Sequence, residues 1–197
     1  MQSELEQPVL DQLFRAARSY KFWTSRTVTD EQIRSLYDLV KMGPTSANAC
    51  PARFVWVKSH EAKMRLAALV SEGNTAKILM APVTVVIAYD LNFREALPTL
   101  FPDRAEALKK YFADPQLAEV TAMRNGSLQG AYLIMAARAL GLDCGPMSGF
   151  DNAAVDREFF PNSSIRSNFL CSLGYGAKEN LFPRQPRLGF SEACSIL

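Results

Sequence analysis

One segment sets the terms for any fold this chain can adopt. Residues 117–140 predict a single long helix stopped by Gly141. From Leu128 onward it is apolar almost all round, with Ala131, Tyr132, Leu133, Ile134, Met135, Ala136 and Ala137 in succession. A surface helix keeps a polar face, so a helix without one is enclosed in a core or in a subunit interface. Its most apolar stretch, 131–140, is interrupted by Arg138 and is too short to span a bilayer. The rest of the chain has to wrap it. The 197 residues suffice for one domain that buries roughly 70% of its unfolded surface without disulfide staples.

The flanking segments supply the wrapping. Residues 9–19 predict a first helix. A second starts at Thr29, where Thr29 and Gln32 form a capping box, and carries Ile33, Leu36, Tyr37 and Val40 on one face. Gly43-Pro44 ends it. Residues 54–57 read as a buried strand, 59–70 and 74–80 as helices, and 83–89 as the strongest strand. That strand lacks polar alternation, so both of its faces are expected to be covered. Residues 90–117, with Pro98, Pro102 and Pro115 around a charged helix at 104–112, read as a peripheral insertion or lid. Beyond the central helix come Leu142-Asp143-Cys144, a Gly/Pro-rich loop, a helix at 153–160, a strand at 168–175 and a tail from Gly176. The strands do not follow strict βαβ alternation, so the expected class is α+β in a single domain spanning 1–197.

The composition removes several function classes. A net charge of +2 with no basic run argues against nucleic acid as a partner. Cys50, Cys144, Cys171 and Cys194 match no zinc spacing and read as free thiols in a reducing compartment. His60 is the single histidine and reads as an exposed first-turn residue, so no metal site and no histidine-based hydrolase is expected. The polar, acidic start is no signal peptide, and the expected setting is cytoplasmic, away from membranes. There is no G-x-G-x-x-G, no P-loop and no G-x-S-x-G. If the chain is an enzyme, a bound cofactor carries the hard chemistry.

The stretch Gly43-Pro44-Thr45-Ser46-Ala47-Asn48-Ala49-Cys50-Pro51 is stiff and polar, of a kind that can hold a ligand on a rigid scaffold; an ordinary helix-to-strand loop is the alternative. Together with Ala52-Arg53 it resembles the P-S-S-x-N-x-Q-P-W signature of the nitroreductase family. Four further segments resemble that family in order. They are Ala17-Arg18-Ser19, Asn74-x-x-Lys77 with Ala81-Pro82, Pro146-Met147-Ser148-Gly149-Phe150, and the terminal pair Arg184 and Arg187. The loop, the run 127–151 and the closing segment 182–188 are similar to its malonic semialdehyde reductase branch, the RutE/HadB subfamily.

The resemblance implies an α/β sandwich with a central mixed sheet flanked by helices, forming an intertwined homodimer with FMN sites at the subunit interface. It also implies FMN as cofactor and NADH or NADPH as reductant. Arg18, Ser19, Arg184 and Arg187 would bind the phosphate, for which guanidinium forks and hydroxyls are suited, while the tail 176–197 closes the site. Ser19 could instead simply end the first helix. Lys77 with Asn74, and Lys21 as a second cation, would face the ring edge that gains negative charge on reduction. Thr45, Ser46 and Asn48 would meet ribityl and ring polar atoms. Pro146, Met147, Ser148 and Gly149 would lie along the ring, with Ser148 and Gly149 at its N5 edge. Arg53 reads either as a contact to an acidic substrate or the nicotinamide phosphates, or as an edge-of-strand arginine. Gln129 reads either as a cofactor contact across the interface or as helix packing. Two residues depart from the commoner pattern. Ser148 stands where many members have Glu, and Cys50 stands where many have Gln, as a redox thiol or an inert one.

Ping-pong hydride transfer through flavin N5 to a small acceptor is the expected activity, with malonic semialdehyde reduced to 3-hydroxypropanoate. A broad nitro-compound or quinone reductase is the alternative. A non-catalytic flavin-binding protein and a cofactor-free interaction protein are the readings from other classes.

Overall fold

The computed structural model describes residues 3–197. Helix α1 (Gln7–Leu10) continues as a π-helical turn over Asp11–Arg15, so the N-terminal helix ends short of the expected residue 19. Helix α2 (Asp30–Val40) opens on the expected capping box. Thr29 Oγ1 accepts the Gln32 N–H at 3.2 Å and Gln32 Oε1 accepts the Thr29 N–H at 3.0 Å. Then follow β1 (Ala52–Val57), α3 (His60–Ala67) capped by Ser59, α4 (Glu72–Met80) and β2 (Val83–Asp90). Two short helices, α5 (Leu97–Leu100) and α6 (Ala105–Tyr111), precede the long α7 (Pro115–Ala139). Asp114 caps α7, its Oδ1 accepting the N–H groups of Gln116 and Leu117. The chain closes with β3 (Asp143–Met147), α8 (Asn152–Phe159), β4 (Ile165–Gly174) and α9 (Phe190–Ala193).

The sheet runs β1-β2-β4-β3 with every strand pair antiparallel. A parallel bridge from Ser19 to Cys144 on the outer edge of β3 makes it mixed. Strand β2 lies inside and is covered on both faces, as its unbroken apolar run requires. Val83, Val85 and Ile87 pack with Leu36, Val40, Leu133 and Ala137 of α2 and α7. Val86 and Ala88 point the other way, against Leu66, Ile78 and Val155 of α3, α4 and α8.

Two glycines allow α7 to lie close on the sheet. A Cβ on Gly126 would sit 2.9 Å from Tyr89 Cβ, and one on Gly130 would sit 2.6 Å from the Phe169 ring. Despite its apolar run, no described helix is long and apolar enough to cross a membrane.

The structure differs from expectation at β3. Gly145, Pro146 and Met147 form a strand where the Gly/Pro content predicts a loop. A proline is tolerated there because β3 is an edge strand. The segment between β2 and α7 is well packed. Phe93, Leu97, Ala105 and Phe112 are buried with Ala118 and Ala122 of α7, and Ala49 of the polar loop joins the same cluster.

Leu133 is fully buried at the α7–sheet contact. Replacing it with Ala should cost about 2–5 kcal/mol of unfolding free energy, read from a urea titration. A loss under about 1 kcal/mol would show that α7 is not the centre of the core.

Candidate functional site

The polar loop is fastened at both ends by α7. Asn125 Oδ1 accepts the Ser46 N–H at 2.8 Å, and Gln129 Oε1 accepts the Ala52 N–H at 2.9 Å. The two amides stand four residues apart, on one helix face, and both are buried. Asn125 was not legible as a functional residue. Gln129, read either as a cofactor contact or as helix packing, turns its carbonyl oxygen to the β1 backbone, a bond that serves the packing alternative. Within the loop, Thr45 Oγ1 accepts the Cys50 N–H at 3.1 Å and Asn48 Nδ2 donates to the Leu100 carbonyl at 2.8 Å. Ala47, Asn48 and Cys50 hold φ values of 53°, 50° and 40°, in the left-handed region that side chains disfavour.

Arg53, the other residue with two readings, is bonded at the strand edge. Its Nη2 forms a 2.8 Å ion pair with Asp90 Oδ2, and Nη1 lies 3.2, 3.3 and 2.9 Å from the carbonyls of Cys50, Pro51 and Ala52. Both terminal nitrogens of the guanidinium are thus bonded within the protein. Met147 packs its side chain into the core against α3, α4 and α8.

A second group of predicted residues converges elsewhere. Arg18, Ser19, Lys21, Arg184 and Arg187 line one cavity of about 650 Å³, together with Arg138 of α7. Five of these six are cations, and among the described residues no carboxylate lines the cavity. Arg18 donates to the Phe182 carbonyl, and Lys21 Nζ lies 4.6 Å from the centre of the Phe182 ring. Arg184 donates to the carbonyls of Arg15 and Ala17 at 2.8 and 2.6 Å, at the carbonyl-rich end of the first helix. Arg187 reaches only the neighbouring carbonyls of Gln185 and Pro186. Arg138 interrupts an apolar run, a signal that could have marked it. Its Nη1 donates to the Leu13 carbonyl at 2.9 Å, while its buried Nε has no partner.

Asn74, Lys77 and Gly149 form a third group. The Gly149 carbonyl accepts from Ser71 N–H, Ser71 Oγ and Asn74 Nδ2 at 3.0, 3.0 and 2.9 Å. A Cβ on Gly149 would sit 2.7 Å from Ser71 Oγ, so glycine permits this close approach. Asn74 Oδ1 in turn takes the Lys77 ammonium at 2.6 Å. Burial, then the nearby charge of Lys21, pulls the Lys77 pKa below its ordinary value. That repulsion ties Lys77 to the cationic cavity. Beside it, Pro146 and Ser148 are exposed.

The sheet keeps the loop and the cationic cavity apart. The loop enters β1 at Ala52, which pairs with Tyr89, while Ser19 bridges β3 at Cys144, in the row of Leu173 and Val83. Three strand spacings across and six residues along β2 give about 14 Å by about 20 Å, a diagonal of about 25 Å. The cavity of about 710 Å³ at the loop is lined by Asn48, Cys50, Arg53 and Gln129 and shares no residue with the cationic one.

The thiols offer no evident nucleophile. All four cysteines are free. Cys144 and Cys171 are buried, and the Cys144 thiol, with burial, pushes the Cys171 thiol well above its usual range.

Comparisons agree along the whole chain. The profile of the nitroreductase family matches residues 14–175. A protein of Caulobacter sp. (strain K31), provisionally named NADH dehydrogenase/NAD(P)H nitroreductase, is 57% identical over 195 residues, covering 99% of this chain and 100% of that one. HadB of Ralstonia pickettii, under the same provisional name, is 54% identical over 187 residues, covering 93% of this chain and 95% of that one. A provisionally named nitroreductase of Exiguobacterium sibiricum, solved in complex with FMN, matches with a TM-score of 0.87 at 16% identity and covers 100% of both chains, a likeness of fold.

Asn125→Ala should leave the Ser46 N–H unpaired and cost about 1–3 kcal/mol in chemical denaturation. An unchanged midpoint would mean that this bond does not carry the loop.

Proposed function

Because the chain belongs to the nitroreductase family, and is on that ground an FMN- and NAD(P)H-dependent oxidoreductase, we propose that its acceptor is a small aldehyde acid, malonic semialdehyde, reduced to 3-hydroxypropanoate. The observation that carries the cofactor assignment is the cavity with five cations and no carboxylate. Unpaired positive charge of this density favours a dianion such as a phosphate. The donors that could turn to it now rest on exposed backbone carbonyls.

In this reading Arg18, Ser19, Lys21, Arg184 and Arg187 hold the phosphate. Lys77, oriented by Asn74, faces the ring edge where negative charge develops. When bound, FMN supplies the two-electron chemistry, taking hydride from the nicotinamide and passing it to the acceptor. Ser148 and the Gly149 backbone border the acceptor. Ser148 carries no charge where many family members place a carboxylate, so an anionic acceptor meets no like charge there. Its exposed hydroxyl, or water, can deliver the proton that turns the carbonyl oxygen into an alcohol.

Thr45, Ser46 and Asn48 complete the site from a second copy of the chain. The diagonal of about 25 Å, further than a mononucleotide reaches from phosphate to ring, supports this assembly. So do the exposed apolar side chains Leu39 and Met42 near α2 and Met123, Leu128 and Tyr132 on α7.

The acceptor reading is tested by reducing the FMN-loaded protein anaerobically with NADH or NADPH, then mixing it with each acceptor. Malonic semialdehyde should reoxidise it faster than a nitrofuran does. Faster reoxidation by the nitrofuran points to the broad nitro-compound and quinone reductase that the relatives' names suggest, and absence of bleaching points to a non-catalytic flavin protein. Arg18→Ala should weaken FMN binding roughly tenfold or more.

The lowered pKa of Lys77 adds a pH dependence. A bound anion raises that pKa again, so binding takes up a proton between the lowered value and the ordinary 10.5. FMN affinity should therefore fall as pH rises through that window. Lys77→Gln should flatten the profile, and an equally steep profile in that variant would remove Lys77 from the site.

A further inference from the structure

We propose that Arg53, braced by Asp90, is a positioning residue that latches the 45–50 loop into its left-handed shape. The latch is geometric; what the loop touches rests on the flavin reading above.

Three non-glycine residues within four positions hold positive φ, a shape that persists only where the surroundings over-determine it. The N-terminal half of the loop has its restraints in Asn125, in the Thr45 hydroxyl on the Cys50 N–H, and in Asn48 on the Leu100 carbonyl. The C-terminal half turns three successive carbonyls, those of Cys50, Pro51 and Ala52, toward one guanidinium nitrogen. Carbonyls that crowd together repel, and a cation among them reverses the sign of that interaction.

Asp90 fixes the cation from behind. Its Oδ2 pairs with Arg53 at 2.8 Å, and its Oδ1 accepts from Ser164 Oγ at 2.6 Å and from the Asn92 N–H at 2.9 Å. Its own N–H donates to the Pro51 carbonyl at 2.9 Å. One carboxylate thus joins the end of β2, the start of β4 and the loop. The forked shape of arginine is what the arrangement uses, with one nitrogen on the carboxylate and the other on the carbonyls. A lysine ammonium is a single point and cannot serve both. With Nη1 and Nη2 engaged in this way, Arg53 stands in the wall of the loop cavity as part of the loop's own frame.

The test compares the full-length protein with R53Q, R53K, D90N and the double variant R53Q/D90N, well below their melting temperatures. FMN affinity is read by flavin fluorescence, and amide hydrogen exchange is read on the FMN-free protein. R53Q and D90N should each raise the Kd for FMN at least tenfold, and the double variant should add no more than twofold because both remove one latch. R53K, which keeps the charge without the fork, should fall between R53Q and the parent. In R53Q the amides of Asn48, Ala49 and Cys50 should exchange at least tenfold faster, with those of β2 unchanged. A Kd within twofold of the parent overturns the proposal even if the melting temperature drops. A weakened Kd with unchanged exchange also overturns it, since Arg53 would then touch the cofactor itself. If the parent binds no FMN, the flavin reading fails on its own, and unchanged loop exchange in R53Q then overturns the latch.

Discussion

Two buried amides on one helix carry the polar loop, and the rest of the site depends on that attachment. Asn125 and Gln129 take the N–H groups of Ser46 and Ala52, so the two ends of the loop are fixed to the same rigid body. An amide buried without partners costs several kcal/mol of lost solvation, which makes these bonds obligatory once the helix is enclosed. The enclosure comes from Gly126 and Gly130, which bring the α7 backbone against Tyr89 and Phe169. Tight apolar packing and loop geometry are therefore one constraint: moving the helix outward by the width of a methyl group would break both bonds.

The loop and the cationic cavity each hold unfavourable energy in the isolated chain. Residues in left-handed backbone cost of order 1–3 kcal/mol each, and three occur between Ala47 and Cys50. Five cations around one cavity repel, and Lys77 outside it has its pKa lowered by burial first and by Lys21 second. Strain and unpaired charge kept in this way are typical of preorganised binding sites, where ligand contacts offset them. The two lie at opposite corners of the sheet.

Much of the fold was legible because it rests on local signals. The capping box at Thr29 and Gln32, the non-alternating run at Val83–Asp90 and the glycine stop after α7 each express a rule that operates over a few residues. The grouping of Arg18, Arg184 and Arg187 was legible as well, since they stand within motifs and do share a cavity, which Lys21, read at the ring edge, joins. The failures have a common cause in long-range pairing. Pro146 and Gly145 read as loop, and become strand only because β4 supplies a partner on one side. Met147 reads as a ligand contact, and the pleat turns it into the core. Arg53 and Gln129 each read two ways, and only the fold brings Asp90 and Ala52, 37 and 77 residues away, against them.

The sequence by itself determined most of the elements that form, which helix is central, and which residue types are available for an anion and a flavin. Those properties follow from periodicity, capping and side-chain chemistry, all of which act locally. Only the tertiary structure decided which polar atoms are already bonded, how the loop is held in a disfavoured backbone shape, and that the loop and the cationic cavity lie apart on the sheet. Strand order and register settle those matters, because a side chain's free donors depend on what the sheet brings against it.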